Sequence, residues 1–430
     1  MRSTEDHWGW NSWKHLRMAS AAMALAIVLV PAVIVAQTAQ APTYAALYAF
    51  SAGTDAAQPF AGLVRDKAGN LYGTTASGGA FGYGTVFKVD TSGNETVLHS
   101  FSGVDGAIPL AGLVRDKAGN LYGTTAYGGA SFMINGDSGD GTVFKVDTSG
   151  NETVLHSFTN SPDGAQPVAS LVMDKSGNLH GTTVGGGASN FGTVFEVDTT
   201  GKETVLHSFS GVDGGFPEAG LVVDKAGNLY GTTASGGSAN AGTVFKLATS
   251  GTETVLHSFT DVPDGAVPNA GLVRDEAGNL YGTTAFGGAF GDDPFPSTGT
   301  VFEVDTNGTE IVLHSFSGVD GGFPEGGLVR DKAGNLYGTT ADGGASLIIN
   351  VNVGDGTVFE VDTNGTETVL HSFSGVDGQS PLAGLVRDKT GNLYGTTAFG
   401  GSSGNGMVFE LILDCDRNVE SHPCDRHSEQ

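Results

Sequence analysis

Basic residues are scarce in this chain of 430 residues, and their scarcity excludes two kinds of partner. The chain has 20 lysines and arginines against 46 aspartates and glutamates, so its formal net charge is −26. Such a chain repels the phosphates of nucleic acids and the headgroups of anionic lipids, so we expect neither as a partner. The acidic residues are spread through turns and form no long run, a pattern typical of a surface that provides solubility.

Cysteine is scarcer still, with only Cys415 and Cys424, both in the polar C-terminal tail 414–430. A local disulfide across this short loop is the expected role in an oxidising compartment. The alternative is a metal site completed by His422 and His427, but the spacing fits no strong zinc pattern. We therefore expect no metal and no other cofactor.

Proline and charged side chains are few, at 14 residues and 15% of the chain, whereas glycine is abundant at 69 residues. A disordered chain is typically rich in proline and charge. Glycine together with many Val, Leu, Thr and Phe residues indicates tight turns between strands. The composition therefore favours a folded, strand-rich protein.

Residues 1–41 have the pattern of an export signal. Lys14 and Arg17 precede an apolar run from Met18 to Ala36, and Gln-Thr-Ala-Gln-Ala follows. We predict a signal peptide cleaved after Ala36, Ala39 or Ala41; the alternative is an uncleaved anchor, because the run is about long enough to span a bilayer. In either case the rest of the chain is expected to be secreted, periplasmic or at the cell surface, with no other contact to the membrane.

A sequence repeat fills the rest of the chain. The phrase GNLYGTT or a near copy occurs seven times at spacings of 50 to 58 residues, and GTVF also occurs seven times, the last time as GMVF. Within one unit, AGLVRD, NLYGTTA, GTVFKVD and ETVLHSF have the composition of short strands joined by glycine-bearing turns. Each unit is therefore predicted to be a meander of four antiparallel strands, which needs neighbouring units to bury its faces.

Four strands in each of seven units predict an all-β fold, a seven-bladed β-propeller over residues 44–413. The alternative is an open solenoid, but open arrays need atypical polar caps at both ends. Here LHSF occurs only six times, and the chain begins with a lone fourth-strand copy, AALYAF, whereas the last unit ends after three strands. The N-terminal strand is therefore expected to pair with the last blade and close the ring.

The phrases LVRDKAGNLYGTT, GTVFKVD and VLHSF resemble the GloVer-type tandem repeat of bacterial exported proteins over about residues 45–413. The half GLVRDKAGNLYGTT is also similar, at the level of the fold, to the propellers of the NHL and streptogramin-lyase type. The first resemblance implies an exported protein without an established activity. Its members often carry a C-terminal anchoring segment, and the polar tail of this chain does not match one.

Several polar residues recur in most or all of the units, and we interpret them as structural. Six histidines share one repeat position, which Tyr48 occupies in the N-terminal strand; neighbouring copies are expected to lie far apart, each making a hydrogen bond. Seven aspartates before the DKAGN-type turn are expected to accept backbone N–H groups there, with calcium binding as the weaker alternative. Five arginines precede these aspartates, and we expect salt bridges from them, or alternatively a basic channel wall.

An asymmetric site is expected where the copies differ. The largest differences are insertions between the second and third strands, which should share a face with the loops between blades. Apolar residues in exposed loops indicate recognition. The candidate ligand-binding residues are Phe132, Met133, Ile134, Phe216, Phe290, Phe295, Phe323, Leu347, Ile348 and Ile349.

The function predicted from these patterns is a non-catalytic, monomeric, exported module that binds a glycan, a peptide or a protein. Two alternatives stay open, a lyase or hydrolase with its site at the mouth of the channel and a purely structural surface protein, because propellers host all three. His180 is the one break in the LYGTT series, where it replaces tyrosine. No companion base or nucleophile has a compelling spacing, so we interpret His180 as a tolerated substitution and predict no catalytic residue.

Overall fold

The structure is a computed structural model that describes residues 41–132, 138–289, 298–345 and 354–413. These ranges belong to one compact unit, Ala41–Gln430. Residues 1–40 of the predicted signal peptide and the tail with Cys415 and Cys424 lie outside the described residues. Within the described ranges, no helix has the length and apolar character needed to cross a membrane.

The described strands form seven blades, each a sheet of four antiparallel strands, and the blades make a ring. The prediction of a seven-bladed propeller is confirmed. The first strands are two residues long: Val64–Arg65, Val114–Arg115, Val172–Met173, Val222–Val223, Val273–Arg274, Val329–Arg330 and Val386–Arg387. The second strands carry the LYGTT phrase: Leu71–Thr75, Leu121–Thr125, Leu179–Thr183, Leu229–Thr233, Leu280–Thr284, Leu336–Thr340 and Leu393–Thr397.

The third strands carry the TVF phrase: Thr85–Val89, Thr142–Val146, Thr193–Val197, Thr243–Leu247, Thr300–Val304, Thr357–Val361 and Met407–Ile412. The fourth strands of blades 1 to 6 carry the LHS phrase: Glu95–Ser100, Glu152–Ser157, Glu203–Ser208, Glu253–Ser258, Glu310–Ser315 and Glu367–Ser372. The fourth strand of blade 7 is the N-terminal segment Thr43–Ala49. A small additional sheet pairs Ala56–Ala57 with Ser77–Gly78.

The N-terminal strand closes the ring in the register of an ordinary fourth strand. Thr43 pairs with Ile412 and Ala49 with Met407. Its register shifts between Ala46 and Tyr48, as the other fourth strands do at the matching position, for example opposite Val86 and Phe87. The segment is therefore a complete structural copy of the fourth strand, although its sequence is divergent.

The hydrophobic core consists of clusters between neighbouring blades. Phe101, at the end of one fourth strand, contacts Phe144 of the next blade edge to face, with ring centroids 5.0 Å apart. Phe50 makes the same contact with Phe87 of blade 1 at 5.1 Å, and both rings are fully buried. The closing contact is therefore packed like the others.

Neighbouring blades also approach closely at the ring axis. A Cβ added to Gly62 of blade 1 would lie 3.1 Å from the carbonyl oxygen of Gly384 in blade 7, so these two blades are in close contact here. Equivalent close approaches run around the ring through Gly112, Ser170, Gly220, Gly271, Gly327 and Gly384. Second-strand threonines bridge the same junctions; Thr396 Oγ1 donates to the Ala61 carbonyl as Thr74 Oγ1 does to that of Ala111. We call the seven residues from Gly62 to Gly384 the inner ring.

The glycine of each LYGTT phrase lies under the phenylalanine of the adjacent third strand. In blade 3, a Cβ on Gly181 would lie 2.6 Å from Phe195 Cζ and 2.8 Å from Leu171 Cδ2. Phe195 is fully buried, so its ring has no room to move away. This packing explains why a glycine stands in the middle of every second strand.

Gly181→Ala is therefore expected to destabilise the protein by about 2 kcal/mol through overpacking. Gly185→Ala in the same blade is the matched control. Gly185 has an ordinary φ, and its added Cβ would meet no atom closer than 3.9 Å. Chemical denaturation of both variants checks the prediction, and equal midpoints would contradict it.

Candidate functional site

The repeated histidines make hydrogen bonds, as predicted. His99 Nε2 lies 3.0 Å from Oδ2 of Asp105, a residue of the loop that leads to the next blade. The other oxygen of Asp105 accepts hydrogen bonds from the Ser102 N–H and hydroxyl groups. The other five pairs are 2.9 to 3.2 Å apart: His156 with Asp163, His207 with Asp213, His257 with Asp264, His314 with Asp320 and His371 with Asp377. The Tyr48 hydroxyl donates to Asp55 at 3.1 Å in blade 7, so this position orders the inter-blade loop.

In blades 1 to 6, the glutamate that begins the fourth strand lies beside the loop aspartate of the preceding blade. Glu152 is an example: Oε1 is buried and has no hydrogen-bond partner within the described ranges, and one carboxylate oxygen lies within 4.8 Å of ligand atoms of His99 and Asp105. Burial raises the pKa of Glu152 to about 7; His99 opposes this effect and Asp105 adds to it. Burial raises the pKa to about 7 at the five equivalent residues too: Glu95, Glu203, Glu253, Glu310 and Glu367.

The aspartates of the DKAGN-type turns hold the turn backbone, as predicted. Asp66 Oδ1 accepts the N–H groups of Ala68 and Asn70, and Oδ2 accepts the Tyr72 hydroxyl at 3.1 Å. Although burial opposes it, these hydrogen bonds hold the pKa of Asp66 below its ordinary value. The turns are therefore internally satisfied.

The repeated arginines stack on tyrosines of the preceding blade. The Arg115 guanidinium lies 5.8 Å from the ring centre of Tyr72, and Arg65 lies 5.1 Å from that of Tyr394. Arg274, Arg330 and Arg387 stack in the same way, on Tyr230, Tyr281 and Tyr337. The expected salt bridge is present at Arg65, which lies 3.8 Å from Asp388. The arginines therefore join blades mainly through cation–π contacts.

Each first strand runs from the inner ring to a DKAGN-type turn, so those turns lie at one end of the ring axis and the loops between blades at the other. A cavity of 330 Å³ lies at the turn end between blades 7 and 1, lined by residues that include Arg65, Asp66, Arg387 and Asp388. Its lining comes from the repeated framework and has no distinctive polar group.

The opposite end, where the loops between blades lie, has a strained backbone. In every blade the residue before a proline has a positive φ between 51° and 60°: Gln58, Ile108, Gln166, Phe216, Val267, Phe323 and Ser380. This conformation is costly for any residue with a Cβ, and most of all for β-branched ones. The ring of positive φ values is therefore imposed by its surroundings.

Two backbone hydrogen bonds hold each of these residues. The Phe216 N–H donates to the Phe191 carbonyl of blade 3, and the Phe216 carbonyl accepts from Ala234 of blade 4. Pro217 packs against the same junction, because a Cβ on Gly192 would lie 2.7 Å from Pro217 Cδ. The backbone at this position joins two blades, which leaves the side chain free to differ from blade to blade.

The residues that follow the prolines lie two positions before the inner ring and differ in character from blade to blade. We call them the mouth residues: Phe60, Leu110, Val168, Glu218, Asn269, Glu325 and Leu382. The four apolar ones belong to consecutive blades, 7, 1, 2 and 3, and the three polar ones to blades 4, 5 and 6. The mouth therefore has an apolar arc and an acidic arc.

The acidic arc concentrates negative charge. Burial raises the pKa of Glu218. The pKa of Glu325 is raised by its enclosure in the mouth and by the charges of Glu218 and Asp342, although part of its side chain is accessible to solvent. Asn269 adds a buried Oδ1 without a hydrogen bond among the described residues. The arc is therefore suited to a cationic or hydrogen-bond-donating group.

Three of the ten predicted ligand-binding residues are described, and all three lie on this face. Phe216 contacts Phe191 with ring centroids 5.6 Å apart, and Phe323 contacts Phe286 at 5.3 Å. Phe132 packs edge to face on Tyr83 at 5.3 Å. The remaining seven lie outside the described residues: Met133, Ile134, Phe290, Phe295, Leu347, Ile348 and Ile349. Sequence reasoning placed the loops between blades on this face, including Gly214 to Glu218 and Gly321 to Glu325, but named none of the mouth residues as a candidate, although their variation beside an invariant proline was visible.

The fold and its repeated contacts define a seven-bladed β-propeller built from one tandem repeat. The chain belongs to the Gloeobacter/Verrucomicrobia repeat family, whose model matches residues 32–132, 131–348 and 262–423. The predicted membership in this type of repeat is confirmed. No curated protein matches the chain.

Among solved structures, the chain is similar to extracellular domains of two sensor proteins from B. thetaiotaomicron. One, from a one-component system, has a TM-score of 0.54 and 10% identity over 87% of this chain and 40% of that one. The other, from a hybrid two-component system, has a TM-score of 0.53 and 13% identity over 87% of this chain and 41% of that one. This chain thus spans about two fifths of each of them, and the likeness establishes the fold.

Proposed function

We propose that the protein is an exported binding module whose ligand docks at the mouth residues. One observation carries the proposal: the blades share a nearly constant framework, and their chemical differences at the mouth are sorted into an apolar arc and an acidic arc. A purely structural ring would need no such sorting. The likeness to extracellular domains and the predicted export signal support a location outside the cytoplasm.

The two arcs favour a peptide or protein segment that places a lysine or arginine next to an apolar side chain. A cation between Glu218 and Glu325 relieves the repulsion that raises the pKa of Glu325. Phe60, Leu110, Val168 and Leu382 offer an apolar surface beside it, and Phe216 adds a ring that is 37% exposed. An exposed apolar surface of this kind is typical of recognition sites.

The proposal predicts that peptides with an apolar residue beside a basic one bind the parent protein and that Glu218→Gln/Glu325→Gln weakens their binding at least tenfold. Both substitutions preserve size, so the fold is expected to survive. Lys67→Ser/Lys117→Ser, in exposed turns at the opposite end of the ring axis, is the control and is expected to leave binding unchanged.

Fluorescence anisotropy with a peptide library, and a glycan array in parallel, measure the effect. Equal peptide binding by the parent and the Glu218→Gln/Glu325→Gln variant would refute the acidic arc as the site. Binding of glycans alone would refute the peptide as the ligand class.

A further inference from the structure

Blade 3 departs from the other six blades where the second strand faces the DKAGN-type turn. In those six blades a tyrosine hydroxyl donates to the turn aspartate, at 3.1 to 3.3 Å. In blade 3 the tyrosine is replaced by His180, whose Nε2 lies 3.7 Å from Asp174 Oδ2. His180 also pairs across the sheet with Glu196 and lies 3.6 Å from its Oε2.

The side chain of His180 makes no hydrogen bond to another described residue. Its side chain is 9% exposed, and its Nδ1 is buried without a partner. The distances from Nε2 to the two carboxylates exceed the range of a hydrogen bond. A buried polar ring that points between two carboxylates without bonding to either is costly unless a further group lies between them.

The separations match those of ligand atoms around a small divalent cation. With Zn–N and Zn–O bonds of about 2.0–2.1 Å in tetrahedral geometry, two ligand atoms lie about 3.4 Å apart. The three ligand atoms of Asp174, His180 and Glu196 all lie within 4.8 Å of one another.

The charge around His180 also differs from that of the other blades. Five tyrosines at this position carry an arginine of the next blade over the ring, as Arg115 lies over Tyr72. The residue at the matching position of blade 4 is Val223, so among the described residues no arginine lies over His180 as Arg115 lies over Tyr72. The neighbouring Lys175 donates a hydrogen bond from its Nζ to the carbonyl oxygen of Lys225.

The outer His–Asp–Glu clusters are weaker candidates, although three of them also bring ligand atoms within 4.8 Å: His99, Asp105, Glu152; His207, Asp213, Glu253; and His314, Asp320, Glu367. Their histidines lie 2.9 to 3.0 Å from the aspartates. They are therefore already hydrogen-bonded, at separations shorter than those of two metal ligands.

We propose that Asp174, His180 and Glu196 form a binding site for one divalent first-row transition ion, with Zn²⁺ as the reference ion. Imidazole and carboxylate are suitable ligands for such ions, and three protein ligands leave a position for water. The carboxylates are 24% and 29% exposed, so an ion can reach the site from solvent. The site lies at the end of the ring opposite to the mouth residues, so it is independent of the proposed peptide site.

Isothermal titration with ZnCl₂ tests the proposal on the full chain carrying Cys415→Ser and Cys424→Ser, which removes the tail thiols as competing ligands. One equivalent is expected to bind with a micromolar or lower Kd and to raise the Tm. His180→Tyr restores the residue of the other blades, so the fold is expected to survive and zinc affinity to fall at least 50-fold.

A gain-of-function variant gives a second test. Blade 5 has the matching carboxylates Asp275 and Glu303 around Tyr281, with Arg330 above the ring. Tyr281→His/Arg330→Val is therefore expected to bind a second equivalent of zinc, and more tightly than Tyr281→His alone. Unchanged zinc binding in His180→Tyr, or no binding by the parent protein, would overturn the proposal; three equivalents that survive His180→Tyr would assign the metal to the outer clusters.

Discussion

A chain that lacks Thr43–Phe50 is expected to lose its cooperative unfolding transition at room temperature or to melt about 10–20 °C below the parent. The deletion removes the fourth strand of blade 7 and exposes the edge of Met407–Ile412. It also removes the fully buried Phe50, and loss of one such ring costs about 3–5 kcal/mol. Together with the lost strand pairing, this cost amounts to a large part of the free energy of unfolding of a typical protein, which is about 5–15 kcal/mol.

The polar contacts of the closing strand add to the expected loss. The Tyr44 ring stacks on His371 with centroids 4.5 Å apart, and its hydroxyl donates to the Asp377 carbonyl. Tyr48 donates to Asp55, which orders the loop into blade 1. The deletion therefore removes contacts to blades 6, 7 and 1 at once.

A circularly permuted chain is the matched control for this deletion. In it, residues 43–50 follow Ile412 through Thr-Ser-Gly, the three residues that join the paired Asp and Asn in the turns of blades 1 and 2, and the chain starts at Ser51. Because blade 7 then has the connectivity of the other blades, most of the lost stability is expected to return. Thermal unfolding followed by circular dichroism measures both variants, and a deletion variant as stable as the parent would show that the ring is not sealed by this strand.

Most of the fold was predictable because the same pattern of strands and turns occurs in seven copies of the repeat. Spacing, turn residues and alternating apolar positions recur in every copy, and the missing fourth strand indicated closure. The site was less predictable because it depends on relations between copies. Glu218 and Glu325 are 107 residues apart in the sequence, and only the ring brings their charges together.

His180 shows the same limit on a smaller scale. It was visible as a break in the LYGTT series, but neither Asp174 nor Glu196 has a spacing from it that defines a known motif. The register of the second and third strands brings Glu196 opposite His180. The absence of an arginine above the ring depends on Val223, in the next blade. Sequence reasoning on one blade at a time therefore missed the cluster.

The Tm of the parent protein is expected to be higher at pH 5 than at pH 8. Burial raises the pKa of six inter-blade glutamates from 4.5 to about 7: Glu95, Glu152, Glu203, Glu253, Glu310 and Glu367. A group with a raised pKa binds its proton more tightly in the folded state, so its contribution is complete below about pH 4.5 and is lost as the pH rises through about 7.

The size of this effect depends on how well solvent screens the glutamates. They are about half buried, and solvent screening therefore reduces the contribution of each pKa shift to the free energy of unfolding to about 1 kcal/mol. The six glutamates together contribute about 6 kcal/mol. For a protein of this length, that corresponds to a Tm difference on the order of 8 °C. Below about pH 4 the trend is expected to reverse, because hydrogen bonds hold the pKa of Asp66 and its equivalents below the ordinary value against the opposing effect of burial.

Substitution of the six glutamates by glutamine separates this effect from the other titrating groups. Glutamine keeps the shape without titrating, so the Tm difference between pH 5 and pH 8 is expected to shrink to a few degrees. Glu276→Gln, at an exposed turn residue, is the control and is expected to keep the full difference. His371 opposes the trend, since burial lowers its pKa in spite of Asp377, but it is one group against six. Scanning calorimetry across this range decides the matter: a parent Tm that is constant or rises toward pH 8 would mean that the glutamates are ionised in the folded protein.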